Sequence, residues 1–367
     1  MKILFINDQY ERGGAGRVAA ILANQLYARG YEVVLVHDFK NWKTLYQINE
    51  DIPKRLIQTK SSSAGKFSKM IKWLRCVRTL RKYIREEAPD VIVATQAMMF
   101  LCTYLANIFT GIPIVVADHT SFSRRINPIL DFVRYKLYAK ASGLSILTRK
   151  DAQILGDRFP NKQVIYNPLS FPVLDVVTQR NKRVLCVGRL EVWKLKGFDT
   201  IIRIWDSIAS MYPEWVLEIA GSGDEEAVSY LNKMIEERGL SSCVLLGHVN
   251  NMQDLYASSE IFALPSRMEG FPMSLMEAMS QGCACVAFEV GGSTREMLEE
   301  NAGYVVKDGD EEAFEQALRD LMSDDRIRHQ FSVNATESVR RFSVDEFLKS
   351  WESLLIKTYT KQTRAKQ

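Results

Sequence analysis

Met1-Lys2-Ile3-Leu4-Phe5-Ile6, then Gly13-Gly14-Ala15-Gly16-Arg17, then Val18, Ile21, Leu22, Gln25 and Leu26 at helical spacing up to Gly30: this opening decides the fold. An apolar strand, a glycine loop and an amphipathic helix lead into a second strand, Tyr31–His37. Repeats of that unit make a parallel sheet wound on both faces. The pattern breaks at Tyr166-Asn167-Pro168 and stays irregular past Pro172 to about Lys182. It resumes at Arg183-Val184-Leu185-Cys186-Val187-Gly188 and continues with Trp215–Ala220, Cys243–Gly247, Ile261–Pro265 and Ala284–Phe288. The expected fold class is therefore α/β, with two Rossmann-like, doubly wound parallel-sheet domains facing a cleft. The expected bounds are 1–170 and 171–343, with 344–367 an amphipathic helix (about Val344 to Tyr359) that returns to the first domain, and a polar tail. No internal repeat is visible.

The length of 367 residues agrees, since one core seldom exceeds roughly 250–300 residues. With 47% hydrophobic and 25% charged residues, the chain is neither disordered nor collagen-like. Its 6 cysteines sit mostly in apolar runs, and Cys283-x-Cys285 has the wrong spacing for a zinc knuckle. A reducing compartment is expected. The net charge of +4 hides a split: residues 1–167 hold 26 Lys and Arg against 13 acids, and the remainder is acidic. The first half should therefore meet something anionic. The opening apolar run is too short for a signal peptide. Val91 to Ala117 carries no charge, but Gln96, Asn107, Gly111 and Pro113 divide it into strand, helix and strand, so no transmembrane span is expected.

Ligands of such sheets bind beyond the carboxyl ends of the strands, so chemistry is sought in the following loops. Gly14-x-Gly16 opens a helix and suits a phosphate, but Ala19 stands where a dinucleotide fingerprint needs glycine. In the second half, Gly188-Arg189-Leu190 is followed by Lys194 and Lys196-Gly197, cations suited to a diphosphate. A solvated loop would look the same. The richest segment is Ser266-Arg267-Met268-Glu269-Gly270-Phe271-Pro272-Met273-Ser274-Leu275-Met276-Glu277-Ala278-Met279. Gly270 and Pro272 mark a turn, and a helix should run from Ser274 to Ser280. Amides near Phe271, Met273 and Ser274 would be free for phosphate, and the Glu277 carboxylate could accept both hydroxyls of a ribose.

Glu269 through Glu277 and Gly282 resembles the Glu-x7-Glu motif of the retaining glycosyltransferases of family 4, which have the GT-B fold. The Gly-Gly loop, Asn167-Pro168, Gly188-Arg189-Leu190, Lys196-Gly197, Ala220-Gly221-Ser222-Gly223, Gly247-His248-Val249 and the last helix follow in the family's order. The resemblance implies that Arg189 and Lys196 hold the donor diphosphate, with Lys194 competing because the spacing after Arg189 is longer than usual. It places Glu277 at the nucleotide ribose, Glu269 at the transferred sugar and reaction centre, and Val249 near the base. It sets His119, in Ala117-Asp118-His119-Thr120, beside the sugar. Gly14 and Gly16 would let the first domain approach the diphosphate, and Gly221 belongs to the donor wall. No metal is expected, because Asp308-Gly309-Asp310 reads as a surface turn.

The implied activity is transfer of a hexose or N-acetylhexosamine from a UDP-sugar to a lipid-linked glycan acceptor of a capsule, O-antigen or exopolysaccharide. The alternatives are a sugar-nucleotide epimerase or hydrolase, or a silent GT-B partner subunit. Between Lys54 and Arg85 there are 11 Lys and Arg and no acid. In the helix from Lys66, Met70, Trp73, Val77, Leu80 and Ile84 form one stripe with Leu74 at its edge, and Arg81 intrudes. Lys69, Lys72, Arg75 and Arg78 then point outward, which predicts an anionic membrane surface as partner and a peripheral position on the inner face of the plasma membrane. A nucleic-acid binder would need stacking aromatics interleaved on an exposed sheet or groove, whereas this basic run reads as a helix.

Overall fold

A computed structural model describes residues 1–7, 13–37, 46–57, 66–174 and 180–365. The chain divides into two units, Met1–Asn167 with Val344–Gln367, and Pro168–Ser343.

The first unit runs β1 (Lys2–Ile6), α1 (Gly14–Ala28), β2 (Glu32–His37), β3 (Lys54–Leu56), α2 (Lys66–Glu87) and β4 (Val91–Thr95). It continues with α3 (Gln96–Asn107), β5 (Ile114–Ala117), α4 (Pro128–Tyr135), β6 (Gly143–Ile146), α5 (Arg149–Leu155) and β7 (Lys162–Val164). All pairings are parallel, in the order β3-β2-β1-β4-β5-β6-β7. Val91–Thr95 and Ile114–Ala117 are buried throughout, as strands covered by helices on both faces must be. The uncharged stretch is thus strand, helix and strand, and no helix among the described residues is long and apolar enough to cross a membrane.

The second unit runs β8 (Asn181–Val187), α6 (Trp193–Lys196), α7 (Phe198–Ile208), β9 (Val216–Ala220), α8 (Glu225–Glu236), β10 (Cys243–Gly247), α9 (Met252–Ala257) and β11 (Ser259–Leu264). Then follow α10 (Met273–Ser280), β12 (Ala284–Phe288), α11 (Ser293–Met297), β13 (Gly303–Val306), α12 (Glu311–Ser323) and α13 (Asp325–Val339). Its sheet is also parallel, ordered β10-β9-β8-β11-β12-β13. The last helix, α14 (Val344–Ala365), extends beyond Tyr359 and rejoins the first unit. There Leu354 and Thr358 close over Gly143, where a Cβ would lie 3.0 Å from Leu354 Cδ1 and 3.1 Å from Thr358 Oγ1.

Helix α2 departs from its expected stripe. Cys76, Leu80 and Ile84 are buried with Trp73, Val77 and Tyr83 packed beside them, whereas Met70 and Leu74 are exposed. The buried line is therefore confined to the later turns. Arg81 lies against α3, donating to the carbonyls of Leu105 and Ala106, which explains a cation on the packed side.

All 6 cysteines are free and buried. Burial pushes the Cys283 thiol up to about 12, so it is an inert core group.

His37 ends β2 and is buried, and burial with the Lys54 charge lowers its pKa to about 4. The unfolded chain, with an ordinary value near 6.5, takes up that proton first as pH falls. The His37 contribution to stability should therefore fall between about pH 6.5 and pH 4, by roughly 3 kcal/mol in all, and that contribution levels off below pH 4. The His119 shift, also downward from burial, adds with the same sign. Urea midpoints at pH 7 and pH 4.5 check this, and His37→Gln should flatten the slope. An unchanged slope in that variant would contradict the assignment.

Candidate functional site

Both sheets reverse direction at one place, between β1 and β4 in the first and between β8 and β11 in the second. Loops leaving adjacent strands in opposite directions open a crevice there. The loops after β8 and β11 carry Arg189, Lys194, Lys196 and Glu269.

Close packing of those loops requires glycine at fixed points. Gly197 has φ +70, and a Cβ there would meet Pro265 O at 1.9 Å. At Gly221 a Cβ would meet Gly188 O at 1.8 Å, and at Gly223 it would lie 2.5 Å from Leu190 Cβ. Ladder-like bonds tie the strand ends together: Gly188 N to Ala220 O, Leu190 N to Ser222 O and Gly221 N to Gly247 O. The Gly188-to-Lys196 loop, the Gly221 loop and the His248–Val249 loop thus form one wall, with Val249 half-buried at its edge.

Lys196 and Glu269 meet on that wall, Nζ to Oε1, at 2.7 Å. The Lys196 stem crosses Gly188, where a Cβ would lie 3.2 Å from its Cδ. Lys194 goes elsewhere. Its ammonium lies 5.0 Å from the Trp193 ring centroid. It lines a groove of about 940 Å³ with Trp193, Asp199, Tyr230, Lys233 and Arg267, a lining that excludes Lys196, Glu269 and Glu277. Arg189 is exposed beside the wall and has no side-chain partner among the described residues. Arg267, unassigned by sequence, holds the Glu269 loop: it pairs with Asp199 at 2.8 Å, and its amide donates to Leu195 O. The spacing of Arg267 to Asp199 gave no local signal for that pair.

After Gly270, Phe271 and Pro272 are buried, and α10 starts one residue earlier than its expected Ser274. Met276 N is the first to bond back, to Pro272 O, so the amides of Met273, Ser274 and Leu275 have no intrahelical acceptor. The N-terminal amides and partial positive charge of α10 therefore stand close to Glu269 in sequence. Glu277, one helical turn on, is 7% exposed and accepts a hydrogen bond from the buried Tyr256 hydroxyl at 3.1 Å. Tyr256, in α9, was invisible to motif reading.

In the first unit, Gly13 rather than Gly14 carries the demanding backbone, with φ +91 ahead of α1. Gly14 is the first helical residue, and Gly16 is buried in the first turn. His119 follows β5, its Nδ1 buried and unpartnered beside Asn167, whose Oδ1 is likewise unpartnered. Burial lowers its pKa, so the imidazole is neutral at pH 7. Its neighbour Asp118 is fixed by Arg134 Nε at 2.8 Å and Tyr138 OH at 3.0 Å, and Asp151 holds Phe122 N at 2.6 Å. This buried network fixes the loop that carries His119. At the switch point of this sheet Gln96 has φ +60, and Thr95 Oγ1 bonds Asn7 Oδ1 at 2.9 Å. Strained backbone at such a place marks a further candidate that sequence reading missed.

Two family models match the chain in succession, Glycosyltransferase Family 4 over residues 12–170 and Glycosyl transferases group 1 over residues 176–338. The chain is a glycosyltransferase of the GT-B fold. It is 26% identical to the amylovoran biosynthesis glycosyltransferase AmsD of Erwinia amylovora, covering 96% of this enzyme and 99% of that protein. It is 23% identical to a Campylobacter jejuni α-1,4-N-acetyl-D-galactosaminyltransferase whose name specifies a diphospho-undecaprenol-linked acceptor, with 97% and 98% covered. HepE of Anabaena, solved with UDP and glucose, superposes with a TM-score of 0.77 at 19% identity, covering 97% of the enzyme and 99% of HepE.

The basic residues that the sequence reading expects at a membrane stand on α2 of the glycosyltransferase. Arg75 and Arg78 are exposed, Lys72 lies over the Trp73 ring at 5.5 Å, and no acid pairs with these three among the described residues. The Lys69 side chain lies outside the described residues.

Proposed function

We propose that the enzyme is a retaining hexosyltransferase that moves a hexose or N-acetylhexosamine from a UDP-sugar to a lipid-linked glycan acceptor. The product belongs to a capsule, O-antigen or exopolysaccharide, and the enzyme works from the cytoplasm at the inner face of the plasma membrane. The observation that carries this reading is the meeting of Lys196 and Glu269 at the switch point of β8 and β11, with Glu277 buried in the helix that follows. The printed names of AmsD and of the Campylobacter transferase support the acceptor class, and the UDP and glucose bound by HepE support the donor.

In this reading the donor diphosphate draws Lys196 and Arg189 and accepts from the free amides of α10. Together these disperse the charge that grows on the leaving phosphate, so no metal is required. The Glu277 carboxylate, with Tyr256 already fixing Oε2, accepts from the ribose hydroxyls. The acceptor hydroxyl attacks the anomeric carbon on the face from which the phosphate departs, and its proton passes to that phosphate. Neutral His119 and Glu269 hold the sugar.

Glu277→Gln tests the donor assignment. The loss of a charge-assisted pair, about 1.5–3 kcal/mol, should weaken UDP binding by roughly ten- to a hundred-fold while the fold survives. Calorimetric titration of UDP measures this, and unchanged affinity would remove the assignment. Activity on a UDP-sugar should persist in excess EDTA.

A further inference from the structure

The basic face of α2 is not the whole of the surface that this reading sets against a membrane. Helices α2, α3 and α4 pack in sequence on one face of the first sheet, whereas α14 covers β4 and β6 together with α1. Right-handed crossovers put the two sets on opposite faces. Helix α2 runs against the strands, so its first turns lie at their carboxyl edge, which is also where the chain passes from β5 into α4. At that edge α2 exposes Met70 and Leu74. Helix α4 and its lead-in expose Ile126, Ile129 (64%) and Phe132 (61%). The last two stand three residues apart, on one side of the helix. The other side is anchored, since Val133 and Arg134 are buried and Arg134 is paired with Asp118.

Charge shows what covers this side. From His119 to Lys150 there are seven Lys and Arg and a single acid, Asp131. The Asp131 carboxylate is engaged by the Ile126 amide at 3.0 Å. Arg124, Arg125 and Lys136 flank the exposed apolar residues with no acidic partner among the described residues. Large apolar side chains left in water among cations without acidic partners, one of them (Arg125) laid on the Tyr135 ring at 4.2 Å, suit a surface with anionic headgroups above acyl chains. A protein partner of mixed charge has no such layering.

We infer that α4 is a second membrane anchor, which inserts Ile129 and Phe132, with Ile126, into the interface of an anionic bilayer. The inference rests on the lipid-linked acceptor proposed above. The Asp118–Arg134 pair joins this anchor directly to the residue before His119, so the inserted helix and the sugar-facing loop move as one body. Ile108 and Phe109, also exposed, follow the far end of α3 with Arg81 laid on the Phe109 ring, and are not part of this edge.

Flotation of the full chain with vesicles of 70% phosphatidylcholine and 30% phosphatidylglycerol tests the anchor. Ile129→Ser/Phe132→Ser should lower partitioning at least ten-fold at low salt and abolish the part of wild-type binding that survives in high salt. The triple reversal of Lys72, Arg75 and Arg78 to Glu should lose binding at low salt through charge alone. In a Phe132→Trp variant, acyl-chain-brominated lipid should quench the added indole. Partitioning of the Ser variant equal to wild type, or an unquenched indole in Phe132→Trp, would overturn the anchor while leaving the α2 reading intact. Loss of binding in the Ser variant with normal binding of the α2 reversal would establish the anchor and refute the α2 reading. A Ser variant that binds vesicles normally but sediments as a smaller species than wild type would identify the patch as a contact between copies and overturn the inference.

Discussion

Glu269→Gln is expected to cut turnover by a hundred-fold or more while leaving UDP affinity within a few-fold of wild type. The carboxylate stands at 2.7 Å from Lys196 with its side chain 11% exposed, at the end of the loop that leads into α10. In the proposed reaction a charge placed there stabilises what develops at the sugar, and removal of such a group typically costs about 10²–10³ in rate. UDP lacks the transferred hexose, so it does not report on that contact. Losing the Glu269 charge also releases Lys196 for phosphate, which keeps nucleotide binding intact. His119→Ala should show the same split at a loss of about a hundred-fold, through the sugar contact rather than the nucleotide. Steady-state kcat together with titrated UDP affinity separates these effects. Normal turnover in either variant would make that residue structural.

Arg134→Met should destabilise the first unit by about 3–5 kcal/mol. The guanidinium is fully buried on Asp118 and lies 4.0 Å from the Phe122 ring centroid. The substitution leaves a buried carboxylate with only neutral donors. The double variant Arg134→Met/Asp118→Asn should recover a large part of that loss, because it removes the stranded charge. Urea unfolding of the four proteins in this cycle measures the coupling. A single-variant loss below about 1 kcal/mol would show that the pair does not hold the loop.

Strand-helix alternation was legible in the central strands because buried parallel strands must be apolar on both faces, as Ile3–Ile6 and Val91–Ala94 are, whereas the short half-buried edge strands β3 and β7 gave no apolar run. The charged loops that bear Lys196 and Glu269 were legible because each follows an apolar strand at the switch point. The spacing after Arg189 could not decide between Lys194 and Lys196, since a lysine's direction depends on the αL turn at Gly197. Gly13 was masked by Gly14 because a glycine pair does not say which member takes positive φ. Tyr256, Arg267 and the Asp118–Arg134 pair were illegible for one reason. Each acts across the fold on a partner 16 to 68 residues away, and only packing brings such partners together. The exposure of Met70 and Leu74 was missed because a hydrophobic stripe gives the side a helix could bury, not how much of its length a neighbour covers.

Amide hydrogen exchange with and without saturating UDP tests the donor site most directly. The account predicts slowed exchange in the segments 188–197, 247–250 and 270–277, where the free amides of α10 gain acceptors. Saturable UDP binding that protected other segments and left these unchanged would contradict it.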